Sequence, residues 1–222
     1  MPETDLGRIV GRYRIVQRIG EGGMGVVYEA VDTTSNESVA LKKLREIDKD
    51  RSGRRLRFAR EAKLGEAIDH PGIVRVIEVV LDGDELFIAM ELVAGVSLRA
   101  RLDELAASGK TMETSAALRI AAGIASAVAH AHRKGVIHRD LKPENVMLVG
   151  DETRVLDFGL AKLREIDGGM VYDAETESNV TEAGHVLGTP AYMAPEQARG
   201  KEIGFRADVF SVGIVLYEML AG

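Results

Sequence analysis

The stretch GEGGMGVVYEA, residues 20–30, constrains the fold more than any other part of the chain. Gly20, Gly22 and Gly25 match G-x-G-x-x-G, a spacing shared by two unrelated nucleotide-binding architectures. In the dinucleotide fold such glycines end a strand and open a helix, whose N-terminus holds the pyrophosphate. Here Gly25 leads into VVYEAV, a β-branched and aromatic run that favours strand over helix. The glycines therefore join two strands, and the dinucleotide reading fails. Lacking side chains, they let a hairpin close over a phosphate, with Val27 set against a flat base. Taken alone, the motif equally describes a glycine-rich hairpin with no ligand.

The surrounding pattern divides the chain. Residues 13–44 read as an antiparallel meander, YRIVQRI, VVYEAV, a polar turn DTTSN and ESVALKKL. Residues 54–68 read as a helix with Leu56, Ala59, Leu64 and Ile68 on one face, ended by HPGI at 70–73. Two further strands flank an Asp82-Gly83 turn. After about residue 94 helices take over. Over 113–134 an alanine-rich helix carries Ile120, Ile124, Ala127 and Ala131 in one stripe, capped by Gly135. Residues 164–185 are acidic and aperiodic, a mobile loop, and a last helix begins near Asp208. The boundary falls at 93/94, giving a β-rich part, 1–93, and a helical part, 94–222.

Composition removes several function classes. With 29 basic and 35 acidic side chains the net charge is −6, which argues against sequence-independent nucleic-acid binding. No cysteine is present, so disulfides, thiolate metal sites and a cysteine nucleophile are excluded. The N-terminus lacks the apolar core of a secretory signal. The longest nearly apolar run, 209–220, is too short to span a bilayer. A cytoplasmic location is expected, without membrane contact from this chain; an anchor would have to lie outside it.

Four motifs follow one another in order. VALKKL puts Lys42 in the third strand; IHRDLKPEN spans 137–145, DFG spans 157–159 and GTPAYMAPE spans 188–196. This set resembles the eukaryotic-type (Hanks-type) serine/threonine protein kinases, in wording similar to bacterial members, from Tyr13 to Gly222. The resemblance implies an α+β bilobal fold with a β-rich N-lobe and a helical C-lobe. It implies further helices beyond the one that follows APE, among them the arginine partner of Glu196. Without them, Val209, Ile214 and Leu216 would be left exposed.

The same resemblance implies transfer of the γ-phosphoryl of ATP to Ser or Thr hydroxyls of protein substrates. Mg2+ is the expected metal, with Mn2+ as a substitute, since Asn145 and Asp157 offer oxygen donors. Asp140 becomes the catalytic base, Lys142 the stabiliser of the moving phosphoryl, and Lys42 the phosphate-binding lysine paired with Glu61. Neighbouring Lys43 reads as an ordinary surface lysine. Gly20, Glu21, Gly22, Gly23 and Gly25 cover the phosphates. Val27, Ala40 and Met147 sandwich the adenine, Met90 stands behind it, and Glu91 and Val93 offer backbone groups to its edge. His138 is expected to pack under Phe158, and Asp208 to anchor the HRD backbone. A nucleotide-binding but catalytically weak regulatory domain is the competing reading.

Arg139, directly before Asp140, implies a clamp for a phosphate on the activation loop, with Thr181 as the regulatory site and self-association as a route to autophosphorylation. Recombinant protein should then carry phosphate on Thr181 by mass spectrometry, and Thr181→Ala should slow turnover. Full activity in that variant would remove the switch.

Overall fold

The computed structural model describes residues 5–22, 25–44, 68–158 and 190–222. Among these, 5–44 and 75–93 form one compact unit, and 68–74, 94–158 and 190–222 form a second. Residues 54–67 of the expected helix, the loop over 164–185, Gly23, Glu61, Thr181, Gly188 and Thr189 lie outside the described residues.

The first unit is a six-stranded antiparallel sheet. Its strands are β1 (Ile9–Val10), β2 (Tyr13–Gly22), β3 (Gly25–Asp32), β4 (Ser38–Leu44), β5 (Val76–Asp82) and β6 (Glu85–Glu91), in the order β1-β2-β3-β4-β6-β5. The glycine run closes the β2–β3 hairpin, with Gly22 paired to Gly25. The register of β2 slips between Ile15 and Gln17 and again between Arg18 and Gly20. Val16 and Ile19 fall in those bulges and are exposed, which bends the strand just before the glycines. One sheet face buries Tyr13, Ile15, Tyr28, Ala30, Val39, Leu41, Phe87 and Ala89 as its core.

Two expectations are corrected here. The β5–β6 turn is Gly83-Asp84, one residue later than Asp82-Gly83, because Asp82 already pairs with Glu85. Gly83 adopts φ 59° at the first loop position, where a tight hairpin needs a residue without Cβ. Lys43 is no ordinary surface lysine. Its Nζ lies 2.5 Å from Glu85 and 3.2 Å from Asp5, while Arg8 joins Asp5, Asp82 and Glu85. Partial burial pulls the Lys43 ammonium down, but its bonds to Glu85 and Asp5 prevail and hold it above the usual lysine value.

The second unit contains helices α1 (Leu98–Ala107), α2 (Thr114–Arg133), α3 (Pro195–Ala198) and α4 (Arg206–Ala221) and a small three-stranded sheet, with α1 and α2 packed against the sheet and α4 against α2. That sheet, β7 (Val96–Ser97), β8 (Val146–Val149) and β9 (Glu152–Val155), escapes the helical reading of the sequence because its strands are so short. The expected stripe of Ile120, Ile124, Ala127 and Ala131 is buried, facing Leu98, Leu141, Val155, Phe158, Val215 and Met219. Gly135 follows α2 at φ 76°, the left-handed position that ends a helix without Cβ strain. On α4, Val209 is exposed as expected, but Ile214 and Leu216 are half-buried; Phe210, Tyr217 and Leu220 are its other exposed large apolar residues. Among the described residues no helix is long and apolar enough to cross a membrane.

Ile68, read as the end of a helix, is not helical; it is buried with the α2 core. The segment after it is fixed by His70. Its Nδ1 accepts the Gly72 N–H at 3.0 Å, its Nε2 lies 3.3 Å from Ser126 Oγ, and its ring meets that of His130 at 5.0 Å, tilted by 43°. Burial, then the charges of His130 and Arg133, push its pKa below the usual value, against Asp69. The unfolded chain thus takes up this proton first, so stability present above about pH 6.5 falls as the solution is acidified. The Asp5 and Glu85 carboxylates, held below their ordinary values, lose charge only in more acidic solution. Urea midpoints between about pH 7 and about pH 5 should therefore drop in the wild type and flatten in His70→Asn, which keeps an acceptor for Gly72. Parallel slopes would contradict the assignment.

Candidate active site

In the β-rich unit, strand alternation sorts the candidates. Val39 and Leu41 enter the core, so Ala40 and Lys42 point to the opposite face, where each is only 6% exposed. Lys42 pairs across the sheet with Val27 on one side and Ile88 on the other, and Ala40 pairs with Met90. Directly opposed residues share a face, so Val27, Ala40, Lys42 and Met90 line one surface. A buried ammonium among aliphatic side chains is costly unless a charged or polar group meets it.

Gly25 closes the hairpin at φ 139°, and a Cβ there would lie 1.9 Å from the Lys43 carbonyl oxygen. Glycine alone fits. Gly20 pairs with Val27, while Glu21 is exposed and pairs with Arg18. Glu91 ends β6 and donates its N–H to the Arg75 carbonyl at 3.0 Å; Val93 follows in the connecting segment.

In the helical unit the loop 138–145 is built around Asp208 on α4, a carboxylate only 1% exposed. Its Oδ2 accepts the His138 N–H at 2.8 Å and lies 2.7 Å from His132 Nε2; its Oδ1 accepts the Arg139 N–H at 2.8 Å. This carboxylate holds Arg139 at φ 69°, a left-handed backbone that costs of order 1 kcal/mol or more for a residue with a side chain.

The His138 ring meets Phe158 edge-on at 4.7 Å, as expected. Its Nε2 faces the Leu156 carbonyl at 2.8 Å, so Nε2 carries the hydrogen, and Nδ1 accepts the Asp140 N–H at 3.3 Å. Both nitrogens are committed, which fits a packing role and leaves none for proton transfer.

Asp140, Lys142 and Asn145 converge. Lys142 Nζ lies 3.0 and 3.2 Å from the two Asp140 oxygens, and Asn145 Nδ2 donates to the Asp140 carbonyl at 2.7 Å. The Asn145 carbonyl accepts the Leu156 N–H at 2.9 Å, tying this loop to the strand that leads into Asp157. Asp157 also adopts a left-handed backbone, φ 63°. Met147 lies on β8, paired with Ser97 and Arg154.

The donor chemistry fits a hard divalent cation. Asn145 commits its Nδ2 to Asp140, so its amide oxygen and the Asp157 carboxylate offer oxygen donors only. Among the described residues no three His, Cys, Asp or Glu side chains cage a metal. A two-residue set suits Mg2+, which takes its other ligands from phosphate and water.

Sequence reasoning missed several residues that hold this arrangement. Buried Gln197 bonds to the Arg139 carbonyl at 2.7 Å, and Ser211 donates to the Tyr192 carbonyl at 2.8 Å. Glu218 accepts from Arg99 at 2.6 Å and from the Tyr192 hydroxyl at 2.5 Å. Burial, then Glu218, pushes the Tyr192 hydroxyl far above the ordinary tyrosine value. Only the position of Gln197, directly after APE, could have drawn attention to it.

A buried aspartate that pins an HRD backbone next to a DFG phenylalanine is a feature of the protein-kinase class. The family model described as the protein kinase domain matches residues 13–222, and the chain belongs to that family. It is 39% identical over 216 residues to the serine/threonine-protein kinase pkn2 of Myxococcus xanthus, covering 96% of this chain and 24% of that protein. To pkn3 of the same organism it is 39% identical over 231 residues, covering 100% of this chain and 40% of the relative. The chain thus spans about a quarter to two fifths of the length of these curated relatives. The crystal structure of the Mycobacterium tuberculosis PknI kinase domain matches with a TM-score of 0.75 at 25% identity, covering 100% of this chain and 78% of that one. ATP and a divalent metal belong to the chemistry of this family.

Asp208→Ala strands three donors in a dry site. It is expected to lower the unfolding free energy by roughly 3 kcal/mol or more in urea titration. A loss below about 1 kcal/mol would show that the loop does not depend on this carboxylate.

Proposed function

We propose that the chain is a protein serine/threonine kinase that moves the γ-phosphoryl of ATP to Ser or Thr hydroxyls of protein substrates. The observation that carries this reading is the convergence of Lys142 and Asn145 on Asp140, in a loop held by buried Asp208. Phosphoryl transfer needs positioning and charge neutralisation rather than covalent help from the protein. Asp140 orients the substrate hydroxyl and accepts its proton as the new O–P bond forms and the bond from Pγ to the β-phosphate oxygen breaks. Lys142, held within 3.2 Å of both Asp140 oxygens, supplies positive charge for the transferring group. Lys42 serves the α- and β-phosphates, and Glu61 is its proposed partner.

Mg2+, with Mn2+ as a substitute, would be held by Asn145 and Asp157 and would neutralise phosphate charge. Gly20, Glu21, Gly22, Gly23 and Gly25 cover the phosphates. Val27, Ala40 and Met147 contact the adenine, Met90 stands behind it, and the backbones of Glu91 and Val93 read its edge. Arg139 and phosphorylated Thr181 form the regulatory pair, reached by autophosphorylation between copies. Residues 1–93 and 94–222 act as the two kinase lobes. The substrates are proteins rather than nucleic acids, and the chain works in the cytoplasm without touching the membrane. The catalytically weak alternative loses ground because Lys42, Asp140, Asn145 and Asp157 are all present.

The test is transfer from radiolabelled ATP to a generic basic protein, with and without Mg2+. Asp140→Asn should cut labelling by about 100-fold or more while leaving nucleotide affinity nearly unchanged. Equal labelling by the two forms would reject the assignment.

A further inference from the structure

The peptide unit that leads into Asp140 is held from both sides. Its N–H, on Asp140, donates to His138 Nδ1 at 3.3 Å. Its carbonyl, on Arg139, accepts from Gln197 Nε2 at 2.7 Å. One residue earlier, Arg139 N–H is taken by Asp208. Arg139 sits at φ 69°, so this stretch would relax toward a commoner backbone if its partners were removed. Such relaxation would rotate the peptide plane and swing the Asp140 side chain with it.

Gln197 is 4% exposed and contributes both ends of its amide. Its Oε1 accepts the Ala194 N–H at 3.0 Å, an interaction that caps α3. Capping uses only the oxygen. The NH2 end points away from α3, to a residue 58 positions earlier in the chain. A cap alone would be met equally by glutamate; the bond to Arg139 requires a donor.

We infer that Gln197 is a positioning residue for Asp140, fixing through the Arg139 carbonyl the peptide plane from which the catalytic carboxylate projects. This rests on the proposed kinase reading for its effect on turnover, but not for its effect on the loop. It also gives the segment around APE a direct mechanical link to the catalytic loop. A shift of α3 would reach Asp140 through one hydrogen bond.

Glutamate at this position separates the two roles. Gln197→Glu keeps the oxygen that caps α3 but turns a carboxylate oxygen toward the Arg139 carbonyl. When that carboxyl takes up a proton, its O–H can donate to Arg139 again. Burial and the facing carbonyl both favour the protonated form, so recovery should appear on going from about pH 8 to about pH 6. Gln197→Met removes both bonds and has nothing to titrate.

The experiment compares wild-type protein, Q197E and Q197M in steady-state kinetics across that range, together with hydrogen exchange at the Asp140 amide. At about pH 8, Q197E should lose about 10- to 100-fold in kcat with KM for ATP within about twofold of wild type. Its deficit relative to wild type should shrink as the pH falls, while that of Q197M stays constant. Exchange at the Asp140 amide, compared with wild type at each pH, should follow the same pattern. Wild-type kcat in Q197E at about pH 8, a deficit independent of pH, or wild-type exchange in both variants would overturn the inference. A wild-type protein without transfer activity would count against the kinase reading alone, since the exchange measurement still decides the role of Gln197.

Discussion

The loop 138–145 depends on one buried carboxylate, that of Asp208. Burying an ionised Asp208 is unfavourable unless its oxygens are fully satisfied, and here three donors meet them. Two of those donors are consecutive backbone N–H groups, so satisfying the charge also fixes the path of the chain at His138 and Arg139. The left-handed turn at Arg139 then follows, and with it the direction taken by Asp140. The cost of burial and the geometry of the site are therefore one problem, solved by α4 and the loop together.

Alternation solves the corresponding problem in the β-rich unit. Adjacent lysines on β4 necessarily face opposite sides of the sheet. Lys42 joins Val27 and Ile88 on one face, and Lys43 meets Asp5 and Glu85 on the other. A slip of one residue would exchange them and carry Val39 and Leu41 out of the core. The ion pairs of Lys43 and the apolar packing of Leu41 thus favour the same register, which is the one that presents Lys42. A lysine that reads as an ordinary surface charge thus helps to fix the register that orients Lys42.

What was legible in the sequence was what is written locally. Glycine spacing, β-branched runs and the alanine-rich stripe gave the two-part organisation. HRD and DFG lie close enough together in sequence for their shared chemistry to be read. The supporting contacts are not written that way. Arg99 reaches Glu218 across 119 positions and Gln197 reaches Arg139 across 58, and no periodicity links such pairs. Lys43 looked like a surface charge because its partners are Asp5, which precedes the sheet, and Glu85 on β6. The Gly83-Asp84 turn was misplaced by one residue because Asp-Gly is a strong turn signal, and the strand pairing of Asp82 with Glu85 overrode it. The strands β7 to β9 are too short to show a period.

The segment 68–74 shows how backbone bonding holds the helical unit together. Although it precedes β5 in the chain, it belongs to that unit, where Gly72 accepts from Val155 N–H at 2.8 Å and Val74 donates to the Val155 carbonyl at 2.9 Å. The next residue, Leu156, donates to Asn145, and Asp157 follows. The segment fixed by His70 is therefore laid along the end of β9, two residues before the proposed metal ligand Asp157. Main-chain groups make these bonds, so they do not depend on the side chains at 74, 155 and 156, whereas a Cβ at Gly72 would lie 3.1 Å from His70 Nδ1. The requirement falls instead on the few residues that shape the backbone, namely the acceptor at His70 and the carboxylate at Asp208.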